Sequence, residues 1–344
     1  MSATTGNLQQ ELAQLAEAVR ARAVELLSSG EVSLVIGHQR PWIGSEAIPA
    51  FVKASERAAD LVVGPQCAAV LAGYLMDEAG QGTKVAVIAR GCDALGVRRL
   101  IADRRIAEED VHLIGLPCLG RIDPVKLGAA ADLEPGETVD FEIGSGGLRL
   151  RRAGDEGFTD GPQLSEVLAD SCLVCDVRKP EGCDELLGEE LSGLMAAATA
   201  PPVRTMAEWE AEVEELASRS PDDRYTFWAE QFTACIRCFA CRNACPACSC
   251  RVCSLDSYQP KWLGHPTELP EQFMFHFIRA TDVAGRCVAC GECARVCPAN
   301  LPLMYLNLKL MHDIRSLFGV DRPHVPQEIE PLGKFESDDP EEFM

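Results

Sequence analysis

No stretch of this 344-residue sequence approaches eighteen consecutive apolar residues, so no segment reads as a membrane-spanning helix. The opening residues, MSATTGNLQQELAQ, lack the basic segment and apolar run of a secretory signal, and the expected location is cytoplasmic. Basic residues are scarce. Against 53 Asp and Glu stand 32 Lys and Arg, a formal charge of -21, which argues against nucleic acid as a partner because phosphates need a basic surface. The six histidines, His38, His112, His265, His276, His312 and His324, show no ligand spacing among themselves, and no nucleophile–base pair can be picked out. His276 sits in an aromatic stretch and reads as a packed or capping residue. No GxGxxG follows a predicted strand, which leaves an ordinary Rossmann flavin or nicotinamide site with weak support. Gly144-Ser145-Gly146-Gly147 reads as a hairpin turn.

Cysteine, by contrast, is abundant. Seventeen in a chain without an export signal point to metal–thiolate chemistry over a disulfide scaffold. Eight of them form two matching runs, Cys235-x-x-Cys238-x-x-Cys241-x-x-x-Cys245-Pro246 and Cys287-x-x-Cys290-x-x-Cys293-x-x-x-Cys297-Pro298. Three thiolates at two-residue gaps wrap one [4Fe-4S] cube and leave its fourth iron open; the fourth cysteine of each run points to the other cube. The expected ligand sets are therefore crossed: Cys235, Cys238, Cys241 and Cys297 for one cluster, Cys287, Cys290, Cys293 and Cys245 for the other. Each proline turns the chain away after the last ligand and removes a backbone donor. Zinc also accepts four thiolates from paired CxxC elements, but does not require two four-cysteine runs each closed by proline. Arg237, Arg242 and Arg295 lie close in sequence to the ligand positions, where they either moderate cluster charge or are simply solvated.

The rest of the chain frames these motifs. Residues 1–30 contain an amphipathic helix with Leu8, Leu12, Leu15, Val19, Ala23 and Leu26 on one stripe, packed on its own domain or docked to a partner. Residues 31–195 alternate short β-branched runs (VSLVIG, DLVVG, KVAVIA, VHLIG) with helical stretches such as PQCAAVLAGYLMDEAG and DALGVRRLIADRRI. That rhythm predicts an α/β domain whose mainly parallel sheet is covered on both faces. Sites gather at the carboxyl ends of such strands, where the sequence places Cys92 in ARGCD, Cys118 in LPCLGR and, earlier, Cys67 in GPQC. Residues 138–152 read as a hairpin turning near Ser145-Gly146-Gly147, and 196–224 as a linker and an acidic helix with Trp209, Val213 and Leu216 on one face. Residues 225–320 read as a ferredoxin-like dicluster domain with a cysteine-rich insertion, a helix packing through Phe273, Phe277 and Ile278, and a second helix in LPLMYLNLKLMHDIRSLFG. Residues 321–344 read as an acidic, extended tail.

Nine cysteines remain. Two triplets stand in polar sequence, where packing gives thiols no reason to gather: Cys172, Cys175 and Cys183 in one, Cys248, Cys250 and Cys253 in the other. The first, completed by Cys118 or Cys92, suits a third cluster. The second, with an outside cysteine, suits a fourth, while zinc or no ligand role stays open for it.

With KVAVIARGCDALGVRRLIADRRIAEEDVHLIGLPCLGRID, CIRCFACRNACPACSCRVC and AGRCVACGECARVCPANLPL in view, the chain resembles iron-sulfur subunits related to the coenzyme F420 hydrogenase/dehydrogenase beta-subunit family. The likeness is to the soluble kind associated with heterodisulfide-reductase-like, hydrogenase or formate dehydrogenase complexes. The resemblance implies an α/β half able to bind FAD and exchange electrons with F420 near a cluster, with Cys92 and Cys118 as cluster or flavin neighbours. In this chain the ferredoxin module follows the α/β half. The function expected is a multi-cluster electron-transfer subunit of a larger redox complex. The alternatives are an FAD-containing oxidoreductase acting on a soluble carrier such as F420, and a zinc-stabilised interaction module.

Overall fold

A computed structural model describes residues 8–41, 46–80, 82, 84–134, 137–144, 147–257, 259–261, 263–264, 267–319 and 332. The acidic tail, apart from Leu332, lies outside them, as do the hairpin residues Ser145 and Gly146, and His265 and His324.

The α/β unit is built on a five-stranded sheet in the order β2-β1-β3-β4-β8, from strands β1 (Leu34–Gln39), β2 (Ile48–Val52), β3 (Val85–Ala89), β4 (Val111–Gly115) and β8 (Glu185–Leu186). β1, β3, β4 and β8 are parallel, with Val35 opposite Ala86 and Val87 opposite Leu113; β2 closes one edge antiparallel to β1. The all-apolar strands follow from burial of both faces. Side chains alternate between two cores: Val35, Ala86, Ile88 and Ile114 face one, and Leu34, Ile36, Val85, Val87 and Leu113 face the other. The helix Leu8–Ser29 lies on the first core through Leu12, Leu15, Val19, Ala23 and Leu26, the stripe expected from its spacing. The helix Gly91–Ala102 covers the second. The hairpin is present as β5 (Val139–Gly144) and β6 (Gly147–Arg152), joined by the short β7 (Thr159–Asp160).

Two local expectations are corrected. DLVVG forms no strand: Leu61 makes a single bridge to Gln39 and buries its side chain in the first core, so the apolar run lines a covered loop. PQCAAVLAGYLMDEAG is mostly irregular, with helical turns only at Ala72–Tyr74 and Leu75–Glu78, because its apolar residues pack as a loop against the helix Gly91–Ala102.

The second unit gathers the helices Met206–Ala217, Pro221–Thr233, Leu269–Asp282 and Leu303–Phe318 around Trp209, Val213, Phe232, Phe275, Leu303 and Leu308. Thr205 and Glu208 form the capping box of the acidic helix. Leu269–Asp282 buries Gln272, Phe275, His276 and Arg279; Phe273 and Ile278 pack against the core as expected, while Phe277 points outward, 65% exposed. Polar and charged groups occupy that buried face because it looks onto the cysteine loops.

Candidate metal centres

The two cysteine runs fold alike. Arg237 and Ala289, third in each run, and Phe239 and Gly291, fifth, all have left-handed backbone, with φ of 48°, 52°, 60° and 73°. Each run then enters a one-turn helix, Ala240–Asn243 or Glu292–Arg295. Left-handed residues are disfavoured for side chains other than glycine, so three of them at matched places mark a loop shaped by what it encloses. The loops aim backbone donors inward: Arg237 N donates to Cys235 Sγ at 3.4 Å.

The thiols are arranged crosswise. Cys235 lies within electrostatic reach of Cys238 and Cys297, and Cys241 within reach of Cys235 and Cys297. Cys287, Cys290 and Cys293 all feel Cys245. Cys241 and Cys293 also feel one another, so the two sites are adjacent. Burial pushes the Cys241 and Cys287 thiols up to about 12, which is the expected cost of an isolated thiolate in an apolar interior. Iron coordination removes that cost by sharing the charge.

A buried cation supports the fit. Arg279 is 2% exposed, donates through Nε to the Cys241 carbonyl at 3.3 Å, and has no hydrogen-bond partner among the described residues for either Nη. It faces the thiols of Cys293, Cys245, Cys241 and Cys248. A guanidinium this deeply buried needs anionic neighbours, and two thiolate-ligated cubes of roughly -2 each would supply them. His276 stacks on Phe232 at 4.4 Å and brings Nε2 to 3.3 Å from Cys235 Sγ; burial, then Arg279 and Arg237, hold its pKa down to about 4. It is packed, as expected, and also touches a cluster-site sulfur. Asn307 Nδ2 approaches Cys293 Sγ at 3.5 Å. Such N–H···S contacts tune potential. Among the described residues no three His, Cys, Asp or Glu side chains close around a point that one ion would fill. A four-iron cube holds its thiolates farther apart than a single ion does.

A third group forms where the two units meet. Cys92 begins the helix after β3, Cys118 lies in the loop after β4, and Cys172 and Cys175 flank the end of the short helix Asp170–Leu173; all four line one small cavity, whose wall also includes Cys290. Gly120 N donates to Cys118 Sγ at 3.3 Å and Arg121 N to Cys172 Sγ at 3.4 Å. Burial alone would raise the Cys172 thiol, but Arg121 outweighs it and holds the group below its usual value. Cys183 is not in this lining; it packs toward Gly115 and Pro180 beside β4, with its thiol raised to about 11 by burial and Asp184. Cys67 is buried, donates to the Val62 carbonyl at 3.5 Å and lines a neighbouring cavity with Cys118.

The second triplet has more varied surroundings. Cys248 lies against Cys245, its backbone N donating to the Cys245 carbonyl at 3.0 Å, and the neighbouring thiol with burial pushes the Cys248 thiol up. Cys250 is exposed, and Cys253 lies beside Arg242. Arg237 is 9% exposed and bonded to Gln272 and the Gly264 carbonyl, while Arg242 pairs with Asp256 at 2.9 Å and Arg295 with Glu292 at 2.6 Å. Two further cations, Arg279 and Arg121, face the thiols from outside the cysteine runs.

Residues 231–301 match the model of a 4Fe-4S dicluster domain, and 82–190 that of the carboxyl-terminal part of the coenzyme F420 hydrogenase/dehydrogenase beta subunit. The first span holds both cysteine runs and the second holds Cys92, Cys118, Cys172 and Cys175. The F420-dependent formate dehydrogenase subunit beta of Methanocaldococcus jannaschii is 25% identical over 94% of this chain and 96% of its own. The F420-dependent formate dehydrogenase 1 subunit beta of Methanococcus maripaludis is 26% identical over 91% of this chain and 92% of its own. A chain of the F420-reducing [NiFe] hydrogenase complex from Methanosarcina barkeri aligns at TM-score 0.34 and 17% identity, over 51% of this chain and 60% of that one. Among the described residues no helix is long and apolar enough to cross a membrane. The chain thus carries a 4Fe-4S dicluster domain and a region like the carboxyl-terminal part of the coenzyme F420 hydrogenase/dehydrogenase beta subunit, and it is similar over most of its length to beta subunits of formate dehydrogenases.

Proposed function

We propose that this chain holds three [4Fe-4S] clusters and relays single electrons between partner subunits of a formate dehydrogenase, hydrogenase or heterodisulfide-reductase-like complex. The ligand sets are Cys235, Cys238, Cys241 and Cys297; Cys287, Cys290, Cys293 and Cys245; and Cys92, Cys118, Cys172 and Cys175. Clusters bound there supply one-electron storage at potentials set by charge, hydrogen bonds and solvent access. The observation that carries the reading is the crosswise placement of Cys297 and Cys245. The protein's own part is to hold the sites next to one another: Cys241 and Cys293 adjoin, and Cys290 walls the third site. That makes the ferredoxin pair and the third site one continuous series. Cys238 is exposed, which puts one end of the series at the surface.

Anaerobic purification followed by iron, acid-labile sulfide and zinc analysis tests this. The expected content is roughly twelve irons per chain. Cys92→Ser or Cys175→Ser should each remove about four, and Cys67→Ser or Cys183→Ser none. Roughly eight irons would remove the third site, roughly sixteen would restore the second triplet as a fourth, and zinc without iron or sulfide would overturn the reading.

A second reading places FAD in the α/β half, serving a soluble carrier such as F420. It is favoured by a cavity of about 530 Å³ whose lining includes Arg40, Gln66, Phe141, Arg151 and Arg152 together with Asp140 and Asp155, Arg151 being paired with Asp140 at 2.6 Å. Flavin released on denaturing the same samples would support it; complete absence from gently prepared protein would sink it.

A further inference from the structure

Arg121 is one of the most deeply buried large side chains of the molecule, and its contacts join two thiolate sites. Its backbone N donates to Cys172 Sγ at 3.4 Å. Its guanidinium lies close to Cys172 and extends to the second site. Nη1 donates to Glu292 Oε2 at 2.9 Å and to the Ala68 carbonyl at 2.8 Å; Nη2 donates to Ser171 Oγ at 3.2 Å and to the carbonyl of Cys290. Ser171 Oγ itself donates to that carbonyl at 3.2 Å. Nε is buried and has no partner among the described residues, and Arg121 lines the cavity of Cys92, Cys118, Cys172 and Cys175. The chain is shaped for the contact: a side chain on Gly291, at φ +73°, would place its Cβ 2.4 Å from Ser171 Oγ and 3.4 Å from Arg121 Nη2. Glu292, also 2% exposed, is shared with Arg295, which pairs in turn with Glu46.

We propose that Arg121 is a positioning residue that locks the third thiolate site against the Cys287–Cys290–Cys293 site and sets the potentials of the clusters held in both. The proposal rests on the three-cluster reading. One residue thus touches a ligand of each site, its backbone N on Cys172 and its guanidinium on the Cys290 carbonyl, which ties the positions of the two together. Its charge lies between two groups of roughly -2 each. A fixed cation in a dry interior stabilises the reduced, more negative form of each neighbour and so raises both potentials. Glu292 opposes it from the ferredoxin side.

The test uses the full chain purified anaerobically as wild type, Arg121→Gln, Arg121→Lys and Glu292→Gln. Each sample is assayed for iron and followed by EPR at controlled potential, with Cys92→Ser identifying the third cluster's signal. With iron retained, Arg121→Gln should lower the reduced-to-oxidised ratio of the two junction clusters roughly tenfold at fixed poise and leave the Cys235-side cluster in place. Arg121→Lys should recover most of the shift, and Glu292→Gln should shift the same two clusters the opposite way. Unchanged potentials, or equal shifts in all three clusters, would overturn the proposal while the iron content upholds the third site. A wild type with roughly eight irons and two clusters would instead remove the reading beneath it. Should Arg121→Gln not accumulate, Glu292→Gln decides alone: no upward shift at the junction defeats the proposal.

Discussion

Gly291 and Ala289 occupy adjacent left-handed places in one loop but carry different burdens. Ala289, at φ 52°, holds an unfavourable conformation with an ordinary side chain. Replacing it with glycine relieves that strain and adds unfolded-state entropy of similar size, so Ala289→Gly should change stability by less than about 0.5 kcal/mol. Gly291 has no room. Gly291→Ala adds left-handed strain and drives a methyl into Ser171 at the junction, for a loss of about 2 kcal/mol or more and a fall in cluster content at the two junction sites. Thermal unfolding of the anaerobic holoproteins, with iron analysis, compares the two; equal behaviour would remove the crowding argument. At this scale the eight ferredoxin cysteines were legible because their spacing is local and repeated. The proposed third site was only half legible. Cys172 and Cys175 announce themselves as a pair, but Cys92 and Cys118 arrive from two strand ends, and Cys183, close in sequence, is carried off by its position next to β8. Arg121 and Arg279 carried no signal at all, since an arginine's burial beside thiols depends on the tertiary fold.

Among the elements, the first helix shows how a surface pattern conceals a buried polar anchor. Its apolar stripe predicted the docking face, and the structure bears that face out. Glu11 lies beside that stripe, 3% exposed, and its two oxygens accept from Gly193 N at 3.1 Å and Leu194 N at 2.7 Å. These are first-turn amides of the helix Ser192–Thr199, otherwise without intrahelical acceptors, so one helix supplies the carboxylate that caps another. Glu11→Ala should cost about 1–2 kcal/mol and lower the unfolding temperature of the α/β unit with cluster content unchanged; a stability within error of wild type would show the cap to be dispensable. Strands β1, β3 and β4 were readable because both their faces are buried. The segment after Pro65 was misread as a helix: its apolar residues fill space beside the helix Gly91–Ala102 without a repeating backbone bond pattern. The outward turn of Phe277 on Leu269–Asp282 has a like cause. Its buried face is chosen by the thiol sites, so Gln272, His276 and Arg279 turn inward and Phe277 is left outside.

Over the whole molecule, the two units are joined largely through charge and through the sites themselves. Arg121 meets Glu292 at 2.9 Å, Arg286 meets Asp103 at 2.6 Å, Arg295 meets Glu46, and Cys290 closes the third cavity. Inside the second unit, Arg279 is enclosed by Phe275, His276 and the cysteine loops, with both Nη atoms lacking hydrogen-bond partners among the described residues. The α/β unit is held differently, by two apolar cores on the faces of one sheet, and none of the buried residues on β1, β3 and β4 is a proposed ligand. Removing iron from the holoprotein with a chelator and mild oxidant should therefore act unevenly. The guanidinium of Arg279 would lose its compensating anions, a change costing about 3 kcal/mol or more for a buried charge. The second unit should respond by opening to water. Amide hydrogen exchange should then accelerate by about a hundredfold in the helices Leu269–Asp282 and Leu303–Phe318, with β1, β3 and β4 remaining protected. Arg279→Met, which fills similar space without charge, should reduce the acceleration in the stripped protein. Exchange that rises equally in the sheet and the helices, or that ignores the loss of iron, would show that the second unit stands on its apolar core alone.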